Sequence, residues 1–201
     1  MNPNNRPQKG STIKVDPIRE PKDIRLIKEL LTDRPRDFAI FTLGINTSLK
    51  ASDLLRITVG QVCHLKPGEY FTTHEQDAGK VRDVTVNRNV HEAIQGLLQT
   101  MPEAGNGEFL FQSRKGRDAL CVSYLNSLVK AWCREVDLTG NFGCHTLRKT
   151  FGYIHHTVFN TDIPTLTQMF NHASQKQTLI YLGIQPNEIK GSIKEAYLME
   201  I

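Results

Sequence analysis

The sequence predicts a mainly helical protein with one small antiparallel β-sheet, an α+β fold. Apolar residues recur every three or four positions through most of the chain, which is the spacing of one face of an α-helix. One stretch, residues 70–86, changes to the two-residue alternation of a β-strand around a glycine-containing turn. At 201 residues, the chain is long enough to form one domain with a proper core.

Three helices are expected before the sheet, over residues 21–31, 36–43 and 50–56. In the first, Ile24, Ile27 and Leu30 recur at helical spacing. The second is apolar enough to lie at the centre of the core. The third follows Thr47 and Ser48, whose hydroxyl groups are suited to capping its first turn.

A β-hairpin is expected next, with strands over 70–74 and 81–86 joined by the turn Asp77-Ala78-Gly79-Lys80. Helices are then expected over 89–100, 123–136, 145–159, 163–171 and 174–182, with a short extended piece at 109–111. Ser174 and Gln177 match the S-x-x-Q pattern of a capping box. In such a box the serine side chain accepts from the backbone N–H of the glutamine, and the glutamine side chain accepts from the backbone N–H of the serine.

Composition narrows the class of protein. The net charge is +4, which mildly favours polyanions as partners. Residues 1–15 are polar, and we expect them to form a flexible arm ahead of a domain over 16–201. The four cysteines lack metal-ligand spacing, and His155 and His156 diverge on a helix, so neither a metal nor a cofactor is expected. The sequence contains neither a signal peptide nor a membrane-spanning run, which favours the cytoplasm.

The most informative residues lie in the C-terminal third: His145, Arg148, His172 and Tyr181. Three residues separate His145 from Arg148, so both project from one face of a helix. Arg148 precedes His172 by 24 residues, and Tyr181 follows that histidine by nine. A guanidinium group neutralises phosphate oxygens bidentately, imidazoles transfer protons, and a phenol is a nucleophile. Together these groups are typical of attack on a phosphodiester.

The segments CHTLRKTFG and LTQMFNHASQKQTLIYLGI resemble the catalytic signature of the tyrosine recombinases, the phage integrase family. That family has H-x-x-R, then G-H or N-H about two dozen residues later, then tyrosine nine residues after this histidine. The similarity extends upstream to residues 43–62 and 75–87, and so covers about residues 20–185. It implies a tyrosine recombinase catalytic domain that breaks and rejoins double-stranded DNA at specific sites, without metal or other cofactor.

The resemblance also implies the role of each residue. Tyr181 is the expected nucleophile, and its attack leaves a 3′-phosphotyrosine and a free 5′-hydroxyl. Arg148 binds the phosphate, His145 acts in acid/base exchange with the nucleophile, and His172 donates a hydrogen bond to the phosphate. Lys50 stands where the family has its second phosphate-binding arginine.

Two positions depart from the family pattern. Lys50 keeps the charge of the family's arginine but loses its two-pronged donor, and Ser48 replaces the preceding glycine. In the hairpin, Asp77 occupies the position of the lysine that protonates the leaving 5′-oxygen, which leaves Lys80 as the candidate donor. Loss of a donor to the transition state typically costs about 10²–10³ in rate. The alternative function is therefore a DNA-binding module of the same fold whose cleavage is weakened or lost.

Further DNA contacts are expected from basic residues on a loop and on the helix that follows it: Arg114, Lys115, Arg117, Lys130 and Arg134. The family's separate core-binding domain is not expected, because only about 20 residues precede the first helix. After Pro186, an apolar stripe predicts a final helix over 188–199. By the resemblance, this helix docks on a neighbouring protomer when the protein assembles on DNA. A helical regulator that carries the motif by chance is the remaining alternative.

Overall fold

The computed structural model describes residues 15–75, 79–113, 116 and 118–184. Helices and one hairpin make up this part of the chain, which confirms the predicted fold class. The elements, in order, are α1 (Pro21–Leu30), α2 (Pro35–Asn46), α3 (Ala51–Leu55), α4 (Val59–Val62), β1 (Tyr70–His74), β2 (Val81–Thr85), α5 (Arg88–Leu98), α6 (Val122–Glu135), α7 (Cys144–Thr157), α8 (Ile163–Phe170) and α9 (Gln175–Leu182). Among them, no helix is long and apolar enough to cross a membrane.

The predicted hairpin is present. Strands β1 and β2 pair antiparallel, and Phe71 lies opposite Val84 on the buried face of the ribbon. At the turn, the Glu75 amide donates to the Lys80 carbonyl at 2.9 Å. Gly79 takes a φ of 60°, a conformation that glycine adopts without strain. The hairpin therefore places Glu75 and Lys80 beside each other, next to its turn.

Helix α2 is central, as its apolar sequence predicts. Phe41 is fully buried and meets Trp132 of α6 edge to face, with ring centroids 6.1 Å apart. On the side towards α7, Gly44 packs directly on Leu147, because a Cβ at Gly44 would lie 2.6 Å from the leucine Cδ1. This close approach sets the position of α7, which carries the H-x-x-R motif.

Helices α7, α8 and α9 enclose a second, smaller apolar cluster of Phe151, Leu166, Phe170 and Leu182, against which Tyr181 packs. Gly152 makes the close approach possible: a Cβ there would lie 2.4 Å from Phe170 Cζ and 2.6 Å from Leu182 Cδ2. This cluster holds the tyrosine-bearing helix α9 against α7.

Local details differ from the sequence prediction in three places. Helix α4 was not expected, and its start is stabilised by Gln61 Oε1, which accepts from the Thr58 amide at 2.9 Å. The expected hydroxyl cap of α3 is wrong. Lys50 is the N-cap residue and makes no side-chain cap, while Thr47 donates to the Leu43 carbonyl and Ser48 to the Met169 carbonyl.

The capping box of α9 forms only in part. Ser174 Oγ accepts from the Gln177 amide at 3.3 Å, as predicted. The Gln177 side chain, however, accepts from the Ala173 amide at 2.9 Å and not from that of Ser174. The start of α9 is capped, and the preceding turn is tied to it.

Candidate active site

Arg148 lies at the centre of the site. It is buried on α7 with 5% of its surface exposed, and its Nη2 donates to the Phe170 carbonyl at 2.6 Å. Its guanidinium carbon lies 5.1 Å from the centre of the Phe170 ring and 5.9 Å from that of Tyr181. Nε is buried and has no hydrogen-bond partner among the described residues. A buried donor without a partner is costly, so an anionic oxygen at this point would be strongly stabilised.

Tyr181 lies on α9 beside Arg148. Its hydroxyl oxygen is also buried and makes no hydrogen bond to any described residue. Burial raises the pKa of Tyr181 to about 12, and the charge of Arg148 opposes that rise. Lys149 contributes a second cation, with Nζ 5.4 Å from the centre of the tyrosine ring. The phenol is therefore neutral before substrate binds, and it needs a proton acceptor in order to attack.

His172 lies against both aromatic rings. It follows Asn171, whose left-handed conformation (φ 55°) ends α8. The imidazole stacks on Phe170 with centroids 5.1 Å apart and meets Tyr181 at 5.3 Å with the rings nearly perpendicular. Burial, followed by the charge of Arg148, lowers the pKa of His172 to about 4. This imidazole is therefore neutral at neutral pH.

His145 occupies the first turn of α7, one turn before Arg148. The residue is exposed, yet protein atoms that displace water from its ring lower the pKa of His145, and the charges of Arg148 and Lys149 lower it further. A neutral imidazole accepts protons, so the side chain is in the state that acid/base exchange requires.

The structure adds two residues that sequence reasoning missed, Glu75 and Arg82. Glu75 is 3% exposed, and its carboxylate lies 3.6 Å from Lys50 Nζ and 3.5 Å from Arg82 Nη1. The same carboxylate accepts from Asn171 Nδ2 at 3.1 Å. Arg82 also donates to the Ser48 hydroxyl. Both residues lie in the segment 75–87, which resembles the family, and that resemblance together with the nearby hairpin turn was the signal that could have found them.

Lys80, the candidate leaving-group donor, reaches the site from the hairpin. Its Nζ donates to Asn171 Oδ1 at 3.4 Å, next to His172. Asn171 thus joins the hairpin lysine through its carbonyl oxygen and Glu75 through its amide. Asp77, the residue that departs from the family pattern, lies outside the described residues.

The structure brings together Lys50, Lys80, Arg148, His172 and Tyr181, with His145 beside them. Of the expected DNA-contacting residues, Lys130 and Arg134 are exposed on α6, and Arg114, Lys115 and Arg117 lie outside the described residues. His155 and His156 are half-buried, and both contact Thr161. Across the described ranges, no group of three or more His, Cys, Asp or Glu residues is placed to hold a metal ion.

Known proteins resemble this chain in sequence and in fold. The family model described as "Phage integrase family" matches residues 20–188. The "Probable integrase/recombinase YoeC" of Bacillus subtilis (strain 168) is 30% identical over 181 residues, which cover 90% of this chain and 96% of that protein. "Tyrosine recombinase XerC" of Caldanaerobacter subterraneus is 26% identical over 165 residues, or 81% of this chain and 45% of that protein. The chain therefore spans nearly all of one relative and about half of the other.

Solved structures show the same fold. The crystal structure of XerA recombinase matches with a TM-score of 0.72 and 17% identity, covering 88% of this chain and 64% of that one. The structure of XerH site-specific recombinase bound to palindromic difH substrate, a post-cleavage complex, also gives 0.72, with 18% identity and 94% and 55% coverage. The family and the class of function predicted from the sequence are confirmed, since the chain belongs to the phage integrase family of tyrosine recombinases.

Proposed function

We propose that this chain cleaves and rejoins double-stranded DNA through a covalent 3′-phosphotyrosine at Tyr181. The observation that carries the proposal is that Tyr181 Oη and Arg148 Nε are both buried without a hydrogen-bond partner among the described residues, on neighbouring side chains. The guanidinium carbon of Arg148 lies 5.9 Å from the centre of the tyrosine ring. A nucleophile and an anion-binding donor are what attack on a phosphate diester requires. The structure of the Tn1549 transposon integrase in complex with transposon right end DNA, whose fold this chain shares, supports DNA as the partner.

The reaction assigns each group a task. Tyr181 Oη bonds to phosphorus, and the bond from phosphorus to the 5′-oxygen breaks. Arg148 and Lys50 neutralise the non-bridging oxygens, and His172 hydrogen-bonds the phosphate. His145 exchanges protons with the nucleophile, and Lys80 protonates the 5′-oxygen. The covalent bond conserves the energy of the phosphodiester, so that attack by a second 5′-hydroxyl rejoins the strand.

The test uses a pool of nicked duplexes of randomised sequence, labelled on the strand upstream of each cleavable bond. The nick lets the short downstream fragment diffuse away, so that any covalent complex accumulates. We expect a labelled protein band that resists denaturation by detergent, and sequencing of the trapped DNA then identifies the target.

Two variants control this experiment. Tyr181→Phe removes only the phenolic oxygen, so it is expected to bind DNA without forming the adduct. Tyr153→Phe makes the same change on α7, where the ring stacks with Arg19, and is expected to form the adduct normally. DNA binding with no adduct from any member of the pool would favour the alternative, a binding module of the same fold without cleavage.

The proposal also includes further DNA contacts, by Lys130 and Arg134 and by the basic residues Arg114, Lys115 and Arg117. So is assembly on DNA through the C-terminal segment. Residues 188–201, which lie outside the described residues, carry the apolar stripe that would dock on a second protomer. Deleting them is expected to leave a folded protein that binds DNA but assembles poorly on it, whereas unfolding would show that the segment belongs to its own core.

A further inference from the structure

Two threonine side chains, Thr178 and Thr167, continue inward from His172, and their hydrogen bonds have a definite direction. Thr167 Oγ1 lies 2.7 Å from the Ile163 carbonyl oxygen, which only accepts, so the single hydroxyl proton of Thr167 points there. Thr167 Oγ1 also lies 2.9 Å from Thr178 Oγ1. Because the Thr167 proton is already committed, Thr167 accepts in this second contact and Thr178 donates.

The direction then extends to the imidazole. Thr178 Oγ1 lies 2.9 Å from His172 Nδ1, and its proton is committed to Thr167. The contact therefore forms only if Nδ1 carries a proton and donates it. Thr178 is fully buried, which excludes water as a competing partner. A neutral imidazole has one N–H, so Nε2 holds a lone pair.

The surroundings of His172 favour a neutral imidazole ring, first through its burial. Arg148 from α7, Lys50 from the start of α3 and Arg82 from β2 all oppose a positive charge on the ring, and Glu75 favours one. A scissile phosphate would add a negative charge among these cations. Its arrival therefore makes protonation of the imidazole easier than it is in the free protein.

We infer that Thr178, held by Thr167, is a positioning residue that keeps His172 in the Nδ1–H tautomer, so that Nε2 enters strand cleavage as a proton acceptor. This inference rests on the proposed function and adds the order of events. The Tyr181 O–H bond breaks as oxygen bonds to phosphorus, and Nε2 takes the proton. The 5′-oxygen leaves with a proton from Lys80. This inference revises one role in the proposed function, because His172, and not His145, now takes the proton of the nucleophile. His172 hydrogen-bonds the phosphate only once it is protonated, and the exposed His145 exchanges protons with solvent.

The tautomer can be read directly by nitrogen NMR of the full chain with labelled histidine, using His172→Gln to assign the signal. We expect Nδ1 protonated and Nε2 unprotonated in the wild type. Thr178→Ser keeps the hydroxyl and should keep this tautomer. Thr178→Val removes the acceptor, and Thr167→Val frees Thr178 to donate to Nδ1, so both should shift the ring towards Nε2–H. Thr157→Val, which removes a similar hydroxyl-to-carbonyl bond at an exposed site on α7, should change nothing.

Adduct formation provides a second readout. Thr178→Val should slow it by about 10- to 100-fold, the range found when the outer hydrogen-bond partner of a metal-ligating histidine is removed, and Thr178→Ser should restore it. An Nε2–H tautomer in the wild type, or an unchanged tautomer in both valine variants, would overturn the inference. If the tautomers behave as stated and no variant forms an adduct, the tautomer assignment stands and the proposed cleavage fails.

Discussion

The carboxylate of Glu75 lies 3.6 Å from the ammonium group of Lys50, in the part of the site where a phosphate is expected to bind. Glu75 is buried and also pairs with Arg82. The cation that replaces the family's arginine therefore already faces an anion in the DNA-free protein. A DNA phosphate has to compete with this carboxylate for Lys50.

Glu75→Gln should strengthen DNA binding and weaken the fold. It removes the competing charge, and one additional phosphate contact would steepen the plot of log affinity against log salt by about 0.9. It also leaves Arg82, whose side chain is 12% exposed, without its carboxylate, at a cost on the order of 3 kcal/mol. Salt titration of DNA binding and urea unfolding measure the two effects. Glu103→Gln makes the same charge change at an exposed site, and equal behaviour of the two variants would refute the competition.

Lys50→Arg should raise the rate of adduct formation. A guanidinium group provides two parallel donors to the phosphate, whereas an ammonium group acts as a point charge. Because a donor to the transition state is worth about 10²–10³ in rate, a gain of about tenfold would be a partial recovery. Single-turnover kinetics on the nicked substrate measure it, with Lys22→Arg on α1 as the control. An unchanged rate would mean that Lys50 does not contact the reacting phosphate.

The stability of the protein should fall as the pH drops from about 6.5 to about 4, in part because of His172. Burial and neighbouring cations lower the pKa of His172 to about 4, against 6.5 for the unperturbed group. Between these values the unfolded state binds the proton and the folded state does not, so acid favours unfolding, and the full stability is present above pH 6.5.

His172→Gln removes that difference and should flatten the dependence of the urea midpoint on pH in this window. His64→Gln, at an exposed histidine outside the site, serves as the matched control. The same pH slope in wild type and His172→Gln would show that this imidazole titrates alike in both states.

Gly152→Ala should separate the nucleophile from its phosphate-binding arginine. The new methyl group would overlap Phe170 and Leu182, which forces α8 and α9 away from α7 at a cost of about 1–3 kcal/mol. Thermal unfolding should show the loss, and adduct formation should fall more than DNA binding does. Gly96→Ala on α5, where nothing lies within 4 Å of the new Cβ, should instead stabilise by about 0.5–1 kcal/mol. Normal adduct formation by Gly152→Ala would show that the cluster tolerates repacking.

Among the described residues, the sequence by itself was sufficient for every helix except α4 and for the hairpin, and it contains the spacing of His145, Arg148, His172 and Tyr181. These features depend on residues close together in the chain. Helical periodicity and turn chemistry act over a few positions, and the motif spacing fits the lengths of helices α7 to α9. Helix α4, which the sequence analysis missed within the described ranges, has only four residues, too few for a periodic pattern to be visible.

Only the tertiary structure decided which partners these residues have. Glu75 meets Lys50 and Asn171 across 25 and 96 positions of sequence, and Ser48 bonds to the Met169 carbonyl across 121, where local rules predicted a helix cap. Likewise, the tautomer of His172 depends on two threonine hydroxyl groups brought together by the packing of α8 on α9. A side chain's local preference states which bonds it is able to make, but burial removes water as the alternative partner, and the fold then determines which bond forms.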